Sequence, residues 1–235
     1  MRNERQGPDM SEVSSRTTRD FTPAVPVLWA YDPIVALFTR ESRWRSALLR
    51  QLNPVADDVI ADIGCGTGSF LSLLGSTVAS LHLKGIDPDE AILAKARAKF
   101  SAAGVKVELH RGYLRDARAI LSNSGVTKIV SSLVFHQVPL SEKRAGLAAM
   151  FAALESEGEL HVADYGLQRT PLMRGLFRIV QFVDGFEDTQ PNADGILPRL
   201  MVEAGFADVA ETTVIPTATG SISLYRATKR AIGLR

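Results

Sequence analysis

The sequence predicts an α/β fold: a Rossmann-like three-layer sandwich around a seven-stranded, mostly parallel sheet with an antiparallel last strand. Three observations predict it. From about Asp57 onward, short β-rich runs alternate with longer helical ones, the rhythm of βαβ units. The runs at 57–63 and 127–134 are nearly continuous in apolar character, as expected of strands covered on both faces. The last two runs, 207–215 and 221–228, follow one another with no helix between them, so they must pair as a hairpin.

Taken in order, residues 1–20 (MRNERQGPDMSEVSSRTTRD) mix Arg with Glu and Asp and lack aromatic and nearly all branched apolar side chains. They read as a disordered tail, without the apolar stretch of a secretory leader. Residues 21–53 include VLWAYDPIVALFTRESRWRSALLRQL, expected to form one or two amphipathic helices as a lid over the sheet's edge or mouth. Residues 54–235 are then the Rossmann-like domain, with the remaining strands expected at 81–86, 105–111 and 158–165.

The helices carry start and stop signals. DPDEAILAKARAKFSAAG places Pro in the first turn, acids at the start and Gly104 as the stop. SEKRAGLAAMFAALESEG is expected to start on a capping Ser141 and to end at Gly158. The apolar stretch at 166–192, with PLMRGLFRIVQFVDGF, reads as a helical lid insertion, and GILPRLMVEAGF as a helix interrupted by Pro198.

Bulk properties narrow the function. A chain of 235 residues, 46% hydrophobic, holds one sizeable core. The balance of 27 Lys+Arg against 26 Asp+Glu gives no broad basic field, which argues against a nucleic-acid partner. The single cysteine, Cys65, excludes an internal disulfide and a thiolate metal cluster; no metal is expected, and a reducing, cytoplasmic setting is. No apolar run reaches the roughly 18 residues of a membrane span.

The stretch that carries chemistry is VIADIGCGTG, Val59–Gly68. Gly64 and Gly66 permit a tight turn and close approach of a ligand, and Gly68 permits close contact as the next helix begins. A dinucleotide fingerprint needs its third glycine at position 69, which is Ser69. Asp62 stands two residues before the first glycine. A pyrophosphate gains nothing from that carboxylate, whereas a ligand bearing an ammonium group does. A plain tight turn is the bland alternative. Asp87, about 20 residues on, is placed to accept hydrogen bonds from ribose hydroxyls. It is equally placed to cap the helix that starts at Pro88, with Glu90 closing a capping box; the two roles are compatible.

VIADIGCGTGSF, GIDPDE, IVSSLVFHQVP and GELHVADYG, in this order and spacing, resemble the class I S-adenosylmethionine-dependent methyltransferases. More narrowly they are similar to the small-molecule branch that contains the ubiquinone/menaquinone C-methyltransferases, over roughly residues 27 to 228. The resemblance implies S-adenosyl-L-methionine as cofactor. It implies Gly64 and Gly66 against the methionine part with Cys65 as a small filler between them, Asp62 near the ammonium, Asp87 on the ribose and Pro88 on the adenine. Gly112-Tyr113-Leu114 stands where the family presents Gly-Asp-Ala, so Tyr113 takes the place of the acid that meets the adenine amine. Either Tyr113 stacks on or bonds the ring, or Asp116 substitutes one turn later. ALESEGEL stands where relatives carry Arg-Pro-Gly-Gly, with Gly158 expected to keep the turn. Tyr31 matches an aromatic over the cofactor, or packs with Trp29 in a helix.

Methyl transfer is a displacement whose main demand is alignment, and a protein base is needed only if the nucleophile must lose a proton. Ser131, Ser132 and Leu133, at the end of the fourth strand, are expected to face the sulfonium. His136 is the catalytic candidate: it acts as base or orients the acceptor, or else it bonds nearby backbone and holds the loop before Pro139. His82, His110 and His161 fall inside strands and read as packing or surface residues. Met173, Phe177, Phe182 and Phe186 are candidate lining of an apolar pocket, or core. The expectation is therefore a methyltransferase for a small, apolar or aromatic metabolite, with homodimerisation allowed. The rivals are a non-catalytic cofactor-binding module contacting a protein, which a pocket plugged by Trp29, Phe182 or Phe186 would favour, and an NAD-type oxidoreductase, against which Ser69 argues.

Overall fold

The computed structural model describes residues 40–231. The expected N-terminal tail and the part of the lid before residue 40, with Trp29 and Tyr31, lie outside them.

The sheet has the order β3-β2-β1-β4-β5-β7-β6. Its strands are β1 (Val59–Ile63), β2 (His82–Asp87), β3 (Val107–Arg111), β4 (Val126–Ser132), β5 (Leu154–Tyr165), β6 (Ala207–Thr217) and β7 (Gly220–Thr228). β1 pairs in parallel with both β2 and β4, so the strand order reverses there; in open α/β sheets the crevice that takes a ligand lies outside the carboxyl ends of the strands at this point. β7 is antiparallel to β5 and to β6, as the missing helix between the last two runs required.

Alternation along the strands divides the core in two. Ala61, Ile63, Ile129, Leu160 and Val162 pack on one face, beneath α4 (Ala117–Ile120), α5 (Leu140–Ala153) and α8 (Leu197–Glu203). Ile60, Val130 and Ala163 pack on the other. That face is covered by α1 (Glu41–Leu52), through Trp44, Leu48 and Leu52, and by α2 (Ser69–Thr77), through Phe70, Leu71 and Leu74. Each such side chain contributes about 1.5–3 kcal/mol on burial. Lys128 Nζ donates to Asn53 O (3.1 Å), just past the end of α1. The C-terminus of α1 is thereby fixed near the start of β4, and its first turns point toward the crevice.

Several element boundaries differ from expectation, each for a local reason. The helix after β2, α3 (Glu90–Ala103), is capped by Asp89, whose carboxylate accepts from Ala91 N and Ile92 N; neither Asp87 nor a Glu90 capping box performs this task. α5 starts at Leu140 on Pro139, so Ser141 lies inside the helix and caps nothing. α5 ends at Ala153 because the chain passes directly into β5 at Leu154. Gly158 therefore sits in a β-bulge, between the pairs Val126↔Leu154 and Lys128↔Glu159. A Cβ there would come within 2.9 Å of Glu155 O, and this crowding is what requires glycine. Pro198 lies in the first turn of α8 and starts the helix instead of interrupting it.

The insertion after β5 is helical, as expected: α6 (Pro171–Asp184), capped by Thr170 Oγ1, and α7 (Phe186–Ala193). Its apolar residues face both ways. Phe177 is buried in the core, whereas Phe182 is 92% and Phe186 61% exposed, so these two do not plug a pocket. No helix among the described residues is long and apolar enough to cross a membrane.

Candidate active site

The crevice has two walls. The first is the turn after β1. Gly64 N and Cys65 N both donate to Ile86 O (2.8 and 3.0 Å), which ties the turn to the end of β2. Gly64 and Gly66 have φ of +80° and +54°, conformations that side chains rarely adopt. They are glycine for different reasons. A Cβ on Gly64 would lie 2.3 Å from Val134 Cγ2, so that position is packed, whereas a Cβ on Gly66 would meet nothing within 4 Å. Open space above Gly66 is where a ligand can approach the backbone. Gly68, at the head of α2, packs against Phe100.

Asp87 closes this wall. Its Oδ2 accepts from Gly66 N (2.9 Å) and its Oδ1 from Asp89 N (3.0 Å), so the carboxylate is fixed by the two turns it joins. Burial raises its pKa, opposed by these two bonds. Each oxygen keeps a second lone pair for a ligand hydroxyl. Pro88 follows, its carbonyl accepting from Arg111 Nε (3.1 Å).

Asp62, near the end of β1, is 1% exposed, and its Oδ1 has no hydrogen-bond partner among the described residues. Burial lifts its pKa to about 7, with Arg45 opposing and Asp87 reinforcing the shift. Leaving a buried acceptor unpaired costs about 1–3 kcal/mol. A ligand donor that reached Oδ1 would remove that cost. Cys65 packs inward against Gly85 and donates weakly to Gly66 O (3.8 Å), and burial pushes its thiol far up. It is an inert filler, as its place between the glycines suggested.

The segment after β3 lies beside this wall. Gly112 N donates to Asp87 O (3.2 Å). Tyr113 N is capped by Asp116 Oδ2 (2.9 Å), which occupies the acid proposed as a substitute, and the Arg115 guanidinium lies 4.5 Å over the Tyr113 ring. Leu114 turns into the core against Gly146 and does not line the crevice.

The second wall, at the ends of β4 and β5, is closed by pairing. Ser131 is buried and donates to Ile63 O (2.8 Å), stapling β4 to β1, while Ser132 is half-buried at the rim. Leu133 adopts φ +56° and donates its N–H to Ala163 O (2.9 Å). Asp164 is the hub of this wall. It is fully buried and accepts from Val134 N (2.9 Å), Phe135 N, Tyr165 N and His136 Nδ1 (each 2.7 Å).

His136 is 3% exposed, with Nε2 facing Asp184 of α6 at 3.4 Å. Burial pushes its pKa down, but Asp164 and Asp184 together raise it to about 9. A buried imidazolium already paired on both sides has no free site for an incoming proton. These contacts fit the loop-holding role of His136 and not that of a base.

Two buried side chains of this wall were not found in the sequence. Asp164 was read only as part of a strand, although a lone acid ending the apolar run HVAD is a usable signal. Lys143 is fully buried and donates to Phe135 O, to Val138 O (2.6 Å) and to Asp188 O (2.9 Å), tying the loop after β4 to α7. Burial lowers its pKa to about 8.

Comparison with known proteins gives a consistent picture. Residues 60–158 match the family model described as a methyltransferase domain. An uncharacterized methyltransferase of Mycobacterium tuberculosis is 26% identical over 138 residues, covering 58% of this chain and 64% of the relative. The chain thus spans less than two thirds of that relative's length. A carboxy-S-adenosyl-L-methionine synthase of Nitratiruptor is 30% identical over 102 residues, 40% of this chain and 43% of the relative. Among solved structures, the S-adenosylmethionine-dependent methyltransferase SibL superposes with a TM-score of 0.67 at 19% identity, over 88% of this chain and 60% of that one, a likeness of fold.

Proposed function

We propose, from the premise that residues 60–158 are a class I S-adenosylmethionine-dependent methyltransferase domain, that this chain transfers a methyl group to a small, apolar or aromatic metabolite. The observation that carries the proposal is the first wall of the crevice. An unpartnered, buried Asp62 Oδ1 stands beside a glycine turn with open space above Gly66, and a fixed Asp87 carboxylate stands next to it.

The residues present fit the cofactor. Asp62 would meet the ammonium, Gly64 and Gly66 would lie along the methionine part, and Asp87 would take the ribose hydroxyls. Pro88 and Tyr113 would flank the adenine. Bound there, S-adenosyl-L-methionine supplies an electrophilic methyl carbon. The protein's part is then positional. Asp87 couples the glycine turn to β2, Ser131 fixes β4 against β1, and the Asp164 hub holds the loop that bounds the acceptor side. Because both ring nitrogens of His136 already face carboxylates, we read the acceptor as one that is nucleophilic without its help.

We read α6 as part of the lid that excludes water, and its apolar side chains support an apolar acceptor. The narrower resemblance to quinone-ring methyltransferases points the same way. The module reading loses one of its supports, because Phe182 and Phe186 lie outside.

The test is a thermal-shift comparison of S-adenosyl-L-methionine, its demethylated product and NAD, followed by transfer of labelled methyl into metabolite extracts. Stabilisation by the first two ligands and a labelled small molecule are expected. Stabilisation by NAD alone overturns the reading, and stabilisation without any transfer supports the binding module.

A further inference from the structure

Asp62 Oδ1 is not the only unsatisfied buried polar atom near the crevice: Nε of Arg45 is also buried without a partner among the described residues. Arg45 is in the first half of α1, the half that points toward the crevice. Its neighbour Trp44 is buried in the core, which fixes the helix face, and the guanidinium lies 5.4 Å from the Trp44 ring centroid. One end is anchored, because Nη2 is ion-paired with Glu41 one turn earlier. The charge of Arg45 acts on the Asp62 carboxyl, yet no hydrogen bond joins the two. An orphaned donor on a cation therefore stands near an orphaned acceptor on an anion, held apart by separate elements, α1 and β1. A direct ion pair would satisfy both at once. A ligand that carries its own cation and anion on one carbon would do the same.

We infer that Arg45 is the carboxylate anchor of the cofactor site, so that Arg45 and Asp62 together recognise the zwitterionic α-amino-acid end of the ligand. Asp62 takes the ammonium and the Nε edge of Arg45 takes the carboxylate, by a charge-assisted hydrogen bond. The inference rests on the cofactor reading above and extends it, since neither the glycine turn nor Asp87 distinguishes the amino-acid end from any other adenosine derivative. It also gives α1 a role: the helix delivers to the crevice the one charge that the glycine turn lacks.

The experiment is a ligand-by-mutation cycle, with S-adenosyl-L-methionine and decarboxylated S-adenosylmethionine titrated calorimetrically into wild type, Arg45→Gln and Arg45→Lys. Wild type is expected to prefer the carboxylated ligand by at least about tenfold, the effect of one hydrogen bond to a charged group. Arg45→Gln is expected to lose that preference while keeping its affinity for the decarboxylated ligand, and Arg45→Lys to retain part of the preference. The ratio is taken on one preparation, so it does not depend on the folded fraction. An equal loss for both ligands, or a preference unchanged in Arg45→Gln, overturns the assignment and leaves the cofactor reading in place. Failure of wild type to bind either ligand overturns the cofactor reading, and this assignment with it.

Discussion

The two walls of the crevice are built from similar residues in opposite ways. At the ends of β4 and β5, Asp164 is buried and accepts four strong hydrogen bonds, and the cation beside it is paired on both sides. At the end of β1, Asp62 is as deeply buried, yet its Oδ1 accepts none among the described residues. One carboxylate is completed by the fold, and the other is left for a ligand. Burial of an acid therefore does not by itself separate a brace from a binding group; the list of its donors does.

The largest effect follows from breaking the brace. Asp164→Ala removes the acceptor of three backbone N–H groups and leaves the His136 ring without its Nδ1 partner. Breaking a buried pair of this kind costs about 3–5 kcal/mol. Urea denaturation is expected to show that loss, and a variant within about 1 kcal/mol of wild type would mean that the hub contributes no net stability.

Next comes the first wall. Asp87→Ala takes away the acceptor of Gly66 N and Asp89 N, but α3 keeps its own cap, Asp89. The fold should survive while affinity for S-adenosyl-L-methionine falls by about 10- to 150-fold, the range for hydrogen bonds to a charged group. Calorimetric titration of the folded variant checks this. Unfolding with unaltered affinity in the folded fraction would make Asp87 a purely structural acid.

What the sequence carried and what it hid follow the same division. The seven strands and the reversed last strand were legible because they depend on apolar periodicity and on a missing helix, both local signals; the order of the strands in the sheet was not. The turn from Gly64 to Gly68 was legible because its positive φ angles admit few other residues. Caps were misplaced by one or two positions: Asp87 and Asp89 are both acids at a strand–helix junction, and only the backbone shows which one the helix uses. Asp164 itself left a signal, an acid ending an apolar run, but its partners left none. The contacts of Asp164 with Val134, Phe135 and His136 span about thirty residues, and no spacing rule connects them. Lys143 reads as an ordinary surface lysine of an amphipathic helix, and its burial comes with contacts to the loop after β4 and to α7 that no local pattern announces.

A smaller effect separates the walls by pH. The folded pKa of His136 is about 9 against an ordinary 6.5, so the stability it contributes is complete below the lower value and is lost as pH rises through about 9. His136→Gln should remove that part of the alkaline slope, read as the difference in urea midpoint between about pH 6 and pH 9.5. An unchanged slope would mean that His136 titrates in the fold as it does in water.

The smallest expected effect has the opposite sign from the first, and for that reason tests the comparison most sharply. The folded pKa of Asp62 is raised from 3.8 to about 7. Its protonated form is the one that burial favours, so its contribution is present below the lower value and lost as pH rises through the upper one. Above that, the ligand-free protein carries a buried charge with an unsatisfied oxygen. Asp62→Asn removes the charge and keeps the shape. Near pH 8 it should therefore be as stable as wild type, or more stable by about 1 kcal/mol, where Asp164→Ala is several kcal/mol worse. The variant should also lose the rise in S-adenosyl-L-methionine affinity that wild type shows as Asp62 ionises, because an amide gives the ammonium no counter-charge. Urea midpoints at about pH 5 and pH 8, with titrations at the same two values, measure both halves. If Asp62→Asn is destabilised at the higher pH, Asp62 is already paired before any ligand arrives, and the two carboxylates do the same work.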